Sequence, residues 1–316
     1  MRQAARYSIL VVALFVAACV TAPQTHAQRR AFEGMFDRSL SVSTPVDLDV
    51  STGSGRIEVR QGSAGQVRIH GVIRVSTDWW RRSERDAEDV VRQLESDPPI
   101  EQTGNTIRIG RMRGREFDNV SISYQIEVPA QTALRSQSGS GALTVTGLQG
   151  AIVTSTGSGS ITLTDVRGNV RANTGSGSIR ADGVAGGFNA STGSGGVTLS
   201  QTGNGDVDIS TGSGTIRATG VSGGLRIHTG SGGITAEGQQ SGRWDLETSS
   251  GSITIRLPEN AGFDLNAHSG SGGVYVDHPI TVQGRIDKRR NDVSGRVRGG
   301  GHVLDVRTGS GSIRIE

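Results

Sequence analysis

Cysteine is almost missing from this sequence. Of 316 residues only Cys19 carries a thiol, so no intramolecular disulfide can form and stability must come from packing and hydrogen bonding. Lysine is nearly absent too: Lys288 stands alone, and arginine supplies the remaining positive charge. The net charge of +3 is too small to mark a polyanion binder, and no nucleic-acid partner is expected. Proline is scarce at 7 residues and aromatics make up only 4%, which excludes a proline-rich linker. The one long apolar run, residues 9–18, is too short to span a bilayer.

Glycine, at 48 residues, is plentiful and regularly placed. Thr-Gly-Ser-Gly or a close variant begins at Thr52, Ser138, Thr156, Thr174, Thr192, Thr211, Thr229, Thr248, Ser269 and Thr308. From Ser138 to Ser269 the steps are 18, 18, 18, 19, 18, 19 and 21 residues, and the last step, to Thr308, is 39. A period near 20 marks a repeat architecture. The step of 39 reads as two repeats with one divergent turn. Within a period, apolar residues alternate with polar ones, as in Ile161 and Leu163, Val170 and Ala172, Ile216 and Ala218, Trp244 and Leu246. Alternation of this kind predicts strands with one buried face. A second turn separates the two strands of a period, with Val166, Val184 and Val221 as an inward plug.

Each period is therefore strand, turn, strand, turn. A parallel solenoid and an antiparallel meander both fit that order. The recurrence of one turn sequence favours the solenoid, whose rungs stack ~4.8 Å apart and pile equivalent corners on one another. The expected fold is all-β: a parallel β-solenoid, or β-helix, with coils of 18–19 residues over 132–316. The corner glycines are expected to supply positive φ, and the hydroxyls to bond free backbone groups. No helical pattern follows these turns, so a phosphate-cradling loop is not expected.

Residues 31–131 read as an N-terminal β-rich capping region with one short helix near 84–95, where Ala87, Val91 and Leu94 fall at helical spacing before Pro98 and Pro99. Trp79, Trp80, Arg81 and Arg82 just before it form either a ligand or membrane-surface patch, or helix–sheet core with arginines over the rings. Arg289 and Arg290 lie in the densest positive stretch. That stretch reads as a solvated closing loop, or as a contact for anionic envelope polymers or lipid head groups.

The N-terminus reads as an export signal. Arg2 and Arg6 precede the apolar core of residues 9–18. Cleavage after Ala27 gives a signal peptide of residues 1–27. Alternatively "VAAC" is a lipobox, the signal is residues 1–18, and an acylated Cys19 tethers the chain to a membrane. Either reading places the protein in the periplasm, at the outer membrane or on the cell surface.

No serine, cysteine or histidine constellation suggests nucleophilic catalysis, and no histidine or cysteine spacing suggests a metal site. No catalytic, cofactor-binding or metal residue is assigned, and no cofactor is expected. Asp208, Arg226 and Asp245 are expected to stack as a charge ladder. Asp245 and Asp264, neighbours in the same column, are the candidate pair if the chain were a carbohydrate-active β-helix enzyme. "GNGDVDI" at 203–209 resembles half of a calcium-binding repeat, present once.

"IEVP" at 126–129, "LRSQSGSGALTVTGLQG" at 134–150, the serial "TGSGSI" turns and "GGGHVLDVRTGSGSIRIE" at 299–316 resemble the bacterial "putative adhesin" family of glycine-rich β-strand repeats, a domain of unknown function. The resemblance covers nearly all of the mature chain. It implies a β-helix-like array and brings no catalytic residues. The functional expectation is an exported, non-enzymatic β-solenoid of the cell envelope. It would be an adhesin-like surface or scaffold protein that binds an envelope polymer, glycan or protein. The alternatives are a carbohydrate-active enzyme and an envelope-stress sensor.

Overall fold

The computed structural model describes residues 31–76, 84–110, 112, 117, 119–281 and 291–316. The alternating segments form short strands with one face buried, such as Ile161–Thr164 and Val170–Thr174. Like strands pair in parallel between repeats: Ile161 lies beside Ile179, and Ile179 beside Val197. Each repeat is one rung of two strands, and the rungs stack into the expected parallel β-solenoid.

Spatial order departs from chain order at both ends. The first rung, Thr106–Ile109 with Val120–Val128, pairs with the earlier segments Val46–Thr52 and Ile57–Gln61. Those in turn pair with Thr132–Ser138 and Leu143–Thr146. Pairing thus crosses residue 131 without a break, and residues 46–61 belong to the stack rather than to a cap before it. From there the rungs follow in sequence to Ile253–Arg256. The C-terminal strands His302–Ser310 and Ile313–Ile315 then slot between that level and the rung of Phe263–Ser269 and Val274–Val276. The step of 39 residues is therefore not two repeats. It is an excursion through Asp292–Val297, which pairs antiparallel with Phe263–Ser269, followed by a return one level inward.

At the other end, antiparallel strands Gln66–Ser76 and Ala31–Ser41 extend the sheet beyond Val120–Val128. The helix Glu84–Ser96 packs over Gly34, where any side chain would overlap Val91. Ala87, Val91 and Leu94 are its buried face. Its last turn holds no basic residue, so Arg38 of the neighbouring strand donates to the terminal carbonyls of Glu95 and Ser96 at 3.1 and 2.9 Å. A cation there suits the negative end of the helix dipole. The Glu95 carboxylate accepts the Met35 N–H at 3.0 Å, covering one amide of a strand edge that would otherwise stay open.

The interior is a column of aliphatic side chains plugged on one side by Leu148, Val166, Val184 and Val221, all fully buried. Trp244 is buried in the same column, and its indole N–H donates to the Gly223 carbonyl at 3.0 Å.

The corners explain the repeated phrase. Thr174 donates its hydroxyl to the Gly159 carbonyl one rung below at 2.9 Å and accepts the Gly177 N–H of its own rung at 3.1 Å. Thr156, Thr192 and Thr211 do the same, and Ser138 and Ser269 hold equivalent positions. A hydroxyl spine therefore runs along the stack. The corner glycines serve a different purpose from the one expected. Apart from Gly311, none has positive φ. Instead a Cβ at Gly157 or Gly159 would overlap the carbonyl oxygen of Gly139 or Gly141 in the rung below. Positive φ belongs to the second turn, at Gly147, Gly183 and Gly220 with φ of 75, 72 and 69°.

Candidate ligand-binding groove

One corner breaks the pattern. Four residues, 157–160, join Thr156 to Ile161, whereas ten, 110–119, join Ile109 to Val120 in the first rung. This longer corner carries Met112 and Phe117. With Val120 they wall an open groove of about 690 Å³ along the stacked corners. The floor is Ser51, Gln137, Ser155, Asn173 and Ser191, one residue from each of five successive rungs in register. None of these five carries charge. Ser191 accepts a hydrogen bond from Ser210 at 3.2 Å, while the side chains of Gln137, Ser155 and Asn173 bond to no other described residue. Sequence reasoning missed this groove. Its one trace is the extra length of the segment "GRMRGREFDN" at 110–119.

Further along, the outward column is charged. Asp208, Arg226 and Asp245 stack as expected, with Arg226 3.8 Å from Asp208. Asp245 is not beside Asp264, because the inserted C-terminal strand places Asp305 there instead. Arg243 bridges the two carboxylates, 3.6 Å from Asp245 and 3.1 Å from Asp305, and Arg307 reaches Asp305 at 2.8 Å. The proposed acid pair is thus two rungs apart, and the real neighbours are clamped by guanidinium groups. Asp264 faces Arg296 across the antiparallel strand at 3.8 Å. Asp206 of the calcium-like segment accepts the Gly224 N–H at 2.9 Å, a cross-rung link that Asn169 repeats with Gly187 at 3.3 Å.

The histidines are dispersed. His70 lies 2.9 Å from Asp37, His228 3.6 Å from Glu247 and His268 3.3 Å from Asp292. His278 is buried edge-on to Phe263, with ring centroids 5.6 Å apart. Among the described residues no three of His, Cys, Asp and Glu gather as a metal site requires. In the core, burial raises the Tyr124 phenol above its ordinary value of 10.0, and its hydroxyl has no hydrogen-bond partner. Cys19, Trp79, Trp80, Arg81, Arg82, Arg289 and Arg290 all lie outside the described residues. No described helix is long and apolar enough to cross a membrane.

The family description Toastrack DUF4097 matches residues 46–316. The chain belongs to the Toastrack family. The match begins at the second rung of the Toastrack stack and takes in every later one. No curated protein matches it. Among solved structures, a "putative cell adhesion protein" from Clostridium sporogenes is 13% identical, with 89% of this chain and 99% of that one covered at a TM-score of 0.19. A "putative lipid binding protein" from Parabacteroides distasonis is 14% identical, with 89% and 96% covered at 0.39. A "putative adhesin" from Bacteroides fragilis is 13% identical, with 90% and 97% covered at 0.35.

Proposed function

We propose that the protein is an exported, non-enzymatic binding protein of the cell envelope, an adhesin-like surface or scaffold. The observation that carries this reading is the unbroken stack, which sets the outward side chains of successive rungs in register over many rungs. Such a surface suits an extended partner, since successive rungs present side chains at a regular spacing along it. The basic, apolar leader of residues 1–27 supports export. The arginine clamp on Asp245 and Asp305 supports a structural role for that carboxylate pair.

Fractionation of producing cells tests the proposal. The mature chain is expected in the envelope fraction, starting at an acylated Cys19 or at Gln28 by mass, and retaining envelope polymer, glycan or protein when immobilised. A cytosolic chain with its leader intact, or an immobilised chain that retains nothing, overturns it. Release of new reducing ends from a polysaccharide panel would favour the enzyme reading instead.

A further inference from the structure

We infer that two copies of this chain pair side by side and antiparallel through one sheet face of the stack. The face is the outward side of the strands that precede the corners, such as Val170–Thr174 and Phe188–Thr192, and Asn189 is its centre. The inference goes beyond the envelope-binding reading and does not depend on it.

Charge is divided along this face. Its middle column runs Arg135, Val153, Arg171, Asn189, Asp208, Arg226, Asp245, one residue per rung and all of them described. The three rungs before Asn189 turn Arg135 and Arg171 outward and no carboxylate. Neither arginine forms an ion pair with a described residue. The three rungs after Asn189 turn out Asp206, Asp208, Asp245 and Glu247 against Arg226 and Arg243. One half of the face is therefore positive and the other negative.

Such a face complements itself when one copy is turned end for end. A two-fold axis across the stack at Asn189 sets Arg171 opposite Asp208 of the second copy and Arg135 opposite its Asp245. Symmetry makes each contact twice. Bulk is matched as well. The same axis sets Ala133 opposite Arg243, and Ala151 opposite Gly224. Other arrangements fail. An axis along the stack sets Arg171 on Arg171 and Asp208 on Asp208, and like charges so placed repel. A slip of one rung in either direction sets Arg135 or Arg171 against Arg226.

The area suffices. Asn189 lies five rungs from Arg108 in one direction and five from Asn266 in the other, so the turned copy overlaps the whole run of rungs. Ten steps of ~4.8 Å along the stack, and five residues of ~3.3 Å across it, give a face of roughly 48 by 17 Å. That is about 800 Å² per copy, the size of a standard specific interface.

The test is the mass of the chain from Gln28 to Glu316 in solution, by sedimentation equilibrium between ~1 and ~100 μM. A dimer is expected. Raising salt from about 0.05 to about 0.5 M should weaken it by about tenfold or more, because exposed charge pairs are screened. Arg171→Glu and Asp208→Arg each set like charges opposite one another, and each is expected to be monomeric with an unchanged melting temperature. Mixed in equal amounts, the two variants restore opposite charges at both contacts and are expected to form a dimer. A wild type that stays monomeric at ~100 μM, a dimer that Arg171→Glu leaves intact, or a mixture that stays monomeric overturns the inference.

Discussion

Asp305 lies directly beside Asp245 in the ladder, with the Arg243 guanidinium 3.1 Å from the first and 3.6 Å from the second. Two carboxylates in adjacent positions repel each other unless a cation stands between them. Asp305 is almost fully buried, while more than half of the Arg243 side chain is exposed, so solvent screening reduces the effect of removing the arginine. Arg243→Ala is expected to destabilise by about 1 kcal/mol, read as a shift of the urea midpoint. In the Asp305→Asn background the same change should cost less. An equal cost in both backgrounds would show that the arginine does not act through that carboxylate.

The corner glycines differ in what they touch. A Cβ at Gly159 would overlap the Gly141 carbonyl, whereas a Cβ at Gly53 meets nothing within 4 Å. Gly159→Ala is expected to destabilise by more than about 3 kcal/mol, because a backbone atom must move to relieve it, and Gly53→Ala by less than about 0.5 kcal/mol. Comparable midpoints for the two variants would contradict the stacked-corner account.

The hydroxyl spine makes its own prediction. Thr174→Val leaves the Gly159 carbonyl and the Gly177 N–H without their partner, for a cost of about 1–3 kcal/mol. Thr174→Ser keeps the hydroxyl and should cost less, as the serines at Ser138 and Ser269 imply. Chemical denaturation of the pair decides the point.

Tyr124 controls an alkaline limit. Its phenol is buried and unpartnered, and burial raises its folded pKa above the ordinary 10.0. A raised value means that the neutral form is the one the fold favours. The resulting stability is full below pH 10 and is lost as pH rises above 10, by about 1.4 kcal/mol per unit. Tyr124→Phe should flatten this decline. Near neutral pH it should be neutral or slightly stabilising, since no hydrogen bond is removed. Melting curves at several pH values, for wild type and variant, are the check.

Much of the fold was legible because the solenoid repeats its local rules. Apolar alternation marked the buried faces of Ile161–Thr164 and Val170–Thr174, and Val166, Val184 and Val221 marked the plug. The order of rungs was not legible at either end. A strand's sequence states which face is buried, not which neighbours flank it, so Thr308 carries the same corner phrase whether it follows Ser269 or precedes it. Only the step of 39 residues hinted at an excursion. The purpose of the corner glycines was hidden for a related reason, since positive φ and close stacking both demand glycine. The groove depends on the length of the corner at 110–119, which no residue pattern singled out.

The inserted C-terminal rung is tested most directly by cysteine pairs at exposed ladder positions in a Cys19→Ser background. Neighbouring rungs bring residues ~5 Å apart, within the ~4.4–6.8 Å Cα separation that a disulfide spans. Glu247 and His268 each lie beside Arg307 and hence two rungs from each other. Disulfides are expected for the 247/307 and 307/268 pairs and not for 247/268. A disulfide joining 247 to 268, with none at 247/307, would place the rungs in chain order and contradict the structure.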